Sequence, residues 1–511
     1  MKLKYVVRDR AIWEEKGYSV FSYDRGRMIR TTRNEPSWVH FGSGNLFRAF
    51  QAVFCDELLE RGLTQTGVIA VSGRDASIMD TYYRPMDDLH IAVTLKKDGS
   101  VEKRVIGSVA ESLRIDDTAR LEEIFRSPSL QVITFTITEK GYRVRPDDPD
   151  LSRTPEEAEG YLGRVAALLY ARYRAGALPL TVCSNDNCSH NGDILRDGIL
   201  TYASAWQDEG FWDYLNTAVS FPISMIDRIT PRPDSGVSQM LRSDGVEEVD
   251  LLPSDHYMNC FVNTEETAYL VIEDRFANGR PLWDLAGVLF TDRDTVDRTE
   301  KMKVGTCLNP LHTTLAVFGC LLGYDRIWRE MEDPDLVRLI RHVGYDEGLP
   351  VVTDPGILSP EEFLRTVLEI RLPNPFMPDM PQRIGMDTSQ KIPVRFGETL
   401  KAYQKKGQDL SRLTYIPFVF AGWLRYLTGT DDCGERFEIP SDPLLPELTG
   451  IMGGYTLGSL PSEEELAPLL RRSDLFGVDL VETRLSGKVT AALGQMLEGP
   501  GAVRRALEEL K

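Results

Sequence analysis

The sequence has few cysteines, no long apolar run and a shortage of positive charge. Seven cysteines in 511 residues are a sparse, odd set, which excludes a disulfide framework and fits a reducing, cytoplasmic setting. No CxxC pair occurs. Cys183, Cys188 and His190 lie close together and Cys307 precedes His312, but neither spacing completes a zinc site. No metal is expected, and the thiols read as small packing residues. No apolar run reaches the ~20 residues that span a bilayer. The N-terminus, Met1-Lys2-Leu3-Lys4-Tyr5 and then Arg8, has the form of neither a signal peptide nor an arginine-rich transit peptide. A net charge of -19 argues against nucleic acid or an anionic membrane as partner. It leaves room for an anionic small molecule, which a few local Arg and Lys side chains can hold.

What is present is globular: 42% hydrophobic and 27% charged residues, in a chain long enough for about two or three domains. Residues 1–35 read as irregular, with a short helix near Arg10–Lys16. Ser37–Phe41 reads as a strand that runs into Gly42-Ser43-Gly44-Asn45-Leu46-Phe47, and a helix is expected over Ala49–Glu60. Strand, glycine turn and helix form the context of a dinucleotide loop, in which the second glycine lets backbone approach a pyrophosphate. Phe47 stands where a third glycine would be. An ordinary turn between strand and helix is the alternative. Gly67–Ser72 is a second strand, and it ends at Gly73-Arg74-Asp75. There Asp75 would accept from a ribose hydroxyl or Arg74 would hold a 2′-phosphate, so NAD is expected and NADP stays open. A hairpin is expected from His90–Leu95 and Val101–Val109. Further strands are expected at Gln131–Thr138 and Leu178–Ser184, and helices at Pro155–Tyr173 and Asp193–Trp206.

The first ~290 residues thus alternate strands and helices, the mark of an α/β fold with a mostly parallel sheet. From Thr295 the period becomes helical. Two domains follow: 1–294, a Rossmann-type doubly wound sheet that binds dinucleotide, and 295–511, a mainly α-helical domain that carries substrate and catalytic groups.

The stretch Lys303-Val304-Gly305-Thr306-Cys307-Leu308-Asn309-Pro310-Leu311-His312 puts an amine, a carboxamide and an imidazole close together before an apolar helix. Such a trio suits removing a proton from a hydroxyl while a hydride leaves the same carbon, provided that burial or a nearby cation favours the neutral amine. A solvated lysine and a core histidine are the plainer alternative.

Several segments together resemble the mannitol dehydrogenase family of polyol-specific long-chain dehydrogenases and hexuronate reductases. They are His40–Arg48, Thr138-Glu139-Lys140-Gly141-Tyr142, Ser184–Asn187 with Asn191-Gly192, Ile226–Pro231, Lys303–His312 and Asp387–Pro393. The resemblance implies a metal-independent oxidoreductase that uses NAD. Lys303 is implied as general acid/base, Asn309 and Asn187 as the carboxamides on the reacting oxygen, and His312 as its orienting imidazole. Asp227, Glu300, Arg383 and Lys391 are implied at the substrate, and Phe41, Gly42, Ser43, Gly44, Asn45, Leu46, Arg74, Asp75, Thr138, Glu139 and Asn191 at the cofactor. The family has four residues between its lysine and asparagine; here there are five, Val304 to Leu308, which keeps Lys301 as an alternative base. Pro310 is expected in the first turn of the following helix with Asn309 at its cap, and the extra residue near Gly305. The expected substrate is a small linear sugar acid or polyol. Reduction of fructuronate to mannonate is favoured because Arg383, Lys391 and Arg395 could meet a carboxylate. Mannitol 2-dehydrogenase or arabinitol 4-dehydrogenase activity is the alternative, and a silent cofactor-binding sensor the alternative of another class. The chain is expected to be a monomer or small homo-oligomer.

Overall fold

Val68-Ile69-Ala70-Val71, Val132-Ile133-Thr134-Phe135 and Leu180–Ser184 are buried at every position, the pattern of strands covered on both faces. The computed structural model describes residues 1–73, 75–251 and 258–510. Its strands, in chain order, are β1 (Tyr18–Val20), β2 (Trp38–Phe41), β3 (Val68–Val71), β4 (His90–Leu95), β5 (Val101–Ile106), β6 (Val109–Leu113), β7 (Val132–Phe135), β8 (Leu180–Ser184), β9 (Val219–Ser220), β10 (Ser224–Asp227), β11 (Phe261–Glu265), β12 (Tyr269–Glu273) and β13 (Leu289–Thr291). The described residues fall into two compact units. One comprises Met1–Lys96 and Ser100–Asp297, the other Lys97–Gly99 and Arg298–Lys511.

In the first unit β6-β3-β2-β7-β8-β9 form one sheet, with every pair parallel. The chain starts at the middle strand β2, steps outward to β3 and β6, then returns to β7 on the other side and continues to β8 and β9. That is the Rossmann order, and ligands bind at the strand ends where the direction of winding reverses, here the carboxyl ends of β2 and β7. Val39, Phe41, Ile69, Val71, Ile133 and Phe135 pack with helices Thr118–Arg126 and Tyr161–Arg174 in one apolar core. Full burial of each such side chain contributes about 1.5–3 kcal/mol. Two smaller sheets, β1-β5-β4-β11 and β10-β12-β13, complete the unit.

Several sequence expectations need correction. Residues 1–35 are largely ordered: β1 pairs with β5, and Arg25–Asn34 is a helix that Asp24 caps by accepting from the Arg27 amide. Its low apolar content hid it. The expected helix over Ala49–Glu60 is two helices, Asn45–Ala49 and Gln51–Glu60, broken at Phe50 with φ -126° and ψ -72°. The hairpin is β4 with β5, while Val109 opens β6 in the other sheet. Pro155–Glu157 is a separate turn of 3-10 helix ahead of Tyr161–Arg174.

In the second unit the described elements are helices and one isolated bridge, Thr430–Arg436. Helices Asn309–Leu322 and Tyr415–Tyr426 are buried nearly all round, as core helices are. The rings of Phe318 and Phe418 stack at 5.5 Å and 8°. Gly422 makes the close approach possible, because a Cβ there would lie 2.5 Å from the Phe318 ring. The buried Glu347 carboxylate accepts from the Thr414, Tyr415 and Ile416 amides, which satisfies the start of the second core helix. By length and composition Arg293–Leu322 could cross a membrane, but 78% of its apolar window is buried inside the protein, as in a core helix.

Candidate active site

The Gly42–Leu46 loop leaves β2 at the winding reversal. Gly42 has φ +92°, and a Cβ on it would sit 2.3 Å from the Thr136 carbonyl oxygen, so glycine is required by the backbone. The Gly42 amide and the Ser43 hydroxyl both donate to the Val71 carbonyl, at 3.1 and 2.7 Å. Gly44 differs: its φ is -84° and its Cβ would meet nothing nearer than the Gly42 carbonyl at 4.0 Å. Nothing inside the protein demands glycine there, so the open face of Gly44 fits the approach of a ligand. Asn45 and Leu46 begin the next helix and are partly buried.

Phe41 and Ser43 serve the fold. The Phe41 ring stacks on Phe135 at 5.0 Å inside the core, and Ser43 is fully buried, with its carbonyl accepting from Tyr83 at 2.7 Å. Their side chains support the loop. Phe47, in place of a third glycine, stacks on the His40 ring at 4.3 Å. His40 bridges Thr134 and Thr136 at 2.7 and 2.9 Å, and burial lowers it to about 3, so it stays neutral.

Thr138 follows β7 with φ +68°, a conformation that costs a β-branched residue on the order of 1–3 kcal/mol. The Asp186 carboxylate holds it by accepting the Ile137 and Thr138 amides at 2.9 Å each and the Tyr142 hydroxyl. Burial raises the Asp186 carboxyl above its usual range despite these bonds. Asp186 was quoted within a motif without a role; the structure makes it the organiser of this loop. Thr138 and Glu139 are exposed, Glu139 paired with Arg143 at 2.6 Å. Asp75 is exposed and accepts from the Ser77 amide and hydroxyl; Arg74 lies outside the described residues.

Asn191 bonds within the fold. Its Nδ2 donates to the Asp186 and Ser224 carbonyls at 2.9 and 3.0 Å, and its Oδ1 accepts from the Ser224 amide at 2.9 Å. The fully buried carboxamide thus ties helix Asn191–Ala205 to β10 and leaves no group for a cofactor. β10 ends in the buried Asp227, and Asn187 is exposed beyond β8.

In the second unit Lys303 is 5% exposed, while Lys301 is exposed. Lys303–Cys307 is a π-turn, in which the Leu308 amide donates to the Lys303 carbonyl at 3.1 Å. Helix Asn309–Leu322 follows, so Asn309 is its first residue rather than its cap, and Pro310 lies in the first turn as expected. Pro310 has no N–H for the Thr306 carbonyl and would crowd it in a plain α-helix; the wide turn relieves that conflict. Asn309 and His312, three apart, share one face. Glu300 is partly buried in helix Arg293–Met302.

His312 Nε2 lies 3.4 Å from Asp379 Oδ2. Burial alone would raise the Asp379 carboxyl, but the His312 contact and the Arg383 and Arg371 charges outweigh it and hold the carboxyl below its usual range. Asp379 lies in the proline-rich stretch Pro373–Pro381, where no helical or strand period marks it. Arg383 is 69% exposed and reaches Asp379 at 3.7 Å. Lys391 Nζ donates to the Ile384 carbonyl at 3.0 Å and to the Met386 carbonyl.

These features match known proteins over the whole chain. Residues 36–285 match the mannitol dehydrogenase Rossmann domain and residues 295–497 the mannitol dehydrogenase C-terminal domain. The chain belongs to the mannitol dehydrogenase family. It is a nicotinamide-dependent oxidoreductase. D-mannonate oxidoreductase of Thermotoga maritima is 45% identical, covering 99% of this chain and 98% of that protein. Among solved structures, substrate-free D-sorbitol dehydrogenase has a TM-score of 0.80 at 25% identity, covering 97% of this chain and 98% of that one. Pseudomonas fluorescens mannitol 2-dehydrogenase, in ternary complex with NAD and D-mannitol, has a TM-score of 0.69 at 27% identity, covering 97% and 96%. Five residues, Val304 to Leu308, separate Lys303 from Asn309. The π-turn is the physical device that takes up one extra residue within a continuous helix, and such turns recur at functional sites.

Proposed function

We propose that this protein is a D-mannonate oxidoreductase that interconverts D-mannonate and D-fructuronate with NAD, as a soluble enzyme of the cytoplasm. The observation that carries the reading is the 45% identity, over 99% of the chain, to a D-mannonate oxidoreductase. Residues 1–294 form the dinucleotide-binding domain and 295–511 the substrate and catalytic domain. The open face of Gly44 and the loop fixed by Gly42 fit a pyrophosphate, and Asp75 fits an unphosphorylated ribose. Bound NAD(H) supplies or takes up the hydride.

The chain's own groups handle the oxygen and its proton. In the reducing direction Asn309 donates a hydrogen bond to the carbonyl oxygen and stabilises the negative charge that develops on it. Protonated Lys303 delivers its proton to that oxygen, and in oxidation neutral Lys303 removes it. His312, turned by Asp379, orients the same oxygen. Glu300 lies on the route of the proton. The silent-sensor alternative rested on the extra residue, and the π-turn accounts for it.

Steady-state assays with NADH and NADPH against fructuronate, fructose and arabinitol, and the reverse reaction with mannonate and mannitol, test this. The acid pair should exceed the neutral pair by about a hundredfold in kcat/KM, with NADH preferred and Asp75→Ala narrowing that preference. Better turnover of fructose, mannitol or arabinitol would establish a polyol dehydrogenase instead.

A further inference from the structure

Of the three cations considered for a carboxylate, two are engaged within the protein. Arg383 extends to solvent and meets Asp379. Lys391 donates to two backbone carbonyls. Arg395 differs. It lies in the π-turn Pro393–Gly397, where its Nη1 donates to Thr313 Oγ1 at 2.5 Å and makes a long contact of 3.5 Å to the Asn309 carbonyl. These contacts seat it against the first turn of the helix that bears Asn309 and His312. Burial lowers its guanidinium to about 10, and among the described residues no carboxylate pairs with it. A desolvated guanidinium without an anion is unfavourable unless a ligand supplies one. Burial and the Arg395 charge lower the Lys391 ammonium, while Asp387 and Asp442 act on Lys391 in the opposite sense, so Arg395 rather than Lys391 is the cation left for a ligand.

We propose that Arg395 is the specificity residue that receives the carboxylate of a sugar-acid substrate. Nη1 is taken by Thr313 and Asn309, which leaves Nε and Nη2, the edge that grips a carboxylate through two parallel bonds. The same contact ties the carboxylate's receptor to the backbone of Asn309, whose side chain meets the reacting oxygen, so the charged end of the substrate sets the register of its carbonyl. A neutral ketose leaves the guanidinium without its anion, and the site discriminates against it for that reason. This proposal rests on the sugar-acid reading above.

The test is R395M and R395K, each assayed with fructuronate and with fructose, with NADH binding as the check on folding. R395M should lose about tenfold to a hundredfold in kcat/KM for fructuronate, mostly through KM, and much less for fructose. R395K keeps the charge without the two-bond edge, so its fructuronate-to-fructose ratio should fall between wild type and R395M; it decides alone if R395M does not fold. Equal losses on both substrates, or an unchanged ratio, would overturn the role of Arg395 while leaving the sugar-acid reading intact. A wild-type enzyme that favours fructose over fructuronate would overturn both.

Discussion

The Leu308 amide reaches back to the Lys303 carbonyl at 3.1 Å, across five residues where an α-helix spans four. The turn therefore holds one residue more than the helix on either side of it. Gly305 lies inside it with open space at its Cβ, the nearest atoms being 3.9 Å away, and its carbonyl accepts from Thr399 at 3.0 Å. Deleting Gly305 should let the turn close to an α-helix and keep Lys303 and Asn309 in their relation. We expect kcat/KM for the best substrate to stay within about tenfold of wild type. Inserting an alanine after Gly305 exceeds what the turn can take up and should cost about a thousandfold, the scale of a displaced acid/base group. A deletion variant that binds NADH normally but has lost turnover would show that the wide turn itself positions the lysine.

The choice between two lysines follows from burial. Lys303 is nearly enclosed and Lys301 is exposed. Lys303→Ala should lower kcat by about a hundredfold to ten-thousandfold with little change in the Kd for NADH, because the proton transfer belongs to the transition state. Lys301→Ala should stay close to wild type. The reverse result would move the base to Lys301.

Two glycines of one loop should respond in opposite ways. Gly42→Ala places a Cβ 2.3 Å from a backbone carbonyl at φ +92°, so it should destabilise the fold and lower Tm. A Cβ on Gly44 would meet nothing nearer than the Gly42 carbonyl at 4.0 Å, so Gly44→Val should leave Tm nearly unchanged while it raises the Kd for NADH by at least about tenfold, as expected where backbone meets pyrophosphate. Thermal unfolding and cofactor titration of both variants separate the two effects. An unchanged NADH affinity in Gly44→Val would place the nucleotide elsewhere.

The Rossmann half was legible because β2, β3, β7 and β8 are short, mostly apolar and β-branched or aromatic runs that end at glycine or polar loops, and that pattern is set by local sequence. The helix Arg25–Asn34 was not, since its buried face is only Arg25, Met28 and Thr32 and gives no apolar period. Which side chains of the site motifs are already engaged within the fold was not legible. Asn191, Phe41 and Ser43 carry the right chemistry in the right motif, yet their atoms bond or pack within the fold, and only coordinates reveal that a carboxamide is fully engaged. Asp379 escaped for the converse reason, and so did the seat of Arg395, which the sequence offers only as one of three cations. Their partners, His312 and Thr313, lie 67 and 82 residues away, as counted from the sequence numbers, and no local pattern encodes such pairings.

The last prediction concerns that Asp379 carboxylate. Burial would raise its pKa, but the contact with His312 and the nearby Arg383 and Arg371 charges lower it below the ordinary carboxylate value. A carboxyl depressed in the folded state stabilises the protein above its unfolded pKa, and the contribution is lost as pH falls through the folded pKa. The full contribution is therefore present at pH 7 and fades only in acid, below about pH 4. Asp379→Asn removes the charge at every pH while keeping the shape. Its Tm should lie below that of wild type by about 1–3 °C at pH 7, and the gap should close as both proteins are taken toward pH 3. The variant should also lose roughly tenfold in kcat, because the imidazole that orients the substrate oxygen no longer faces an anion, with NADH affinity unchanged. A Tm gap that persists undiminished in acid would show that the Asp379 side chain acts through packing or hydrogen-bond geometry rather than through its charge, and unchanged kcat would remove it from the orientation of His312.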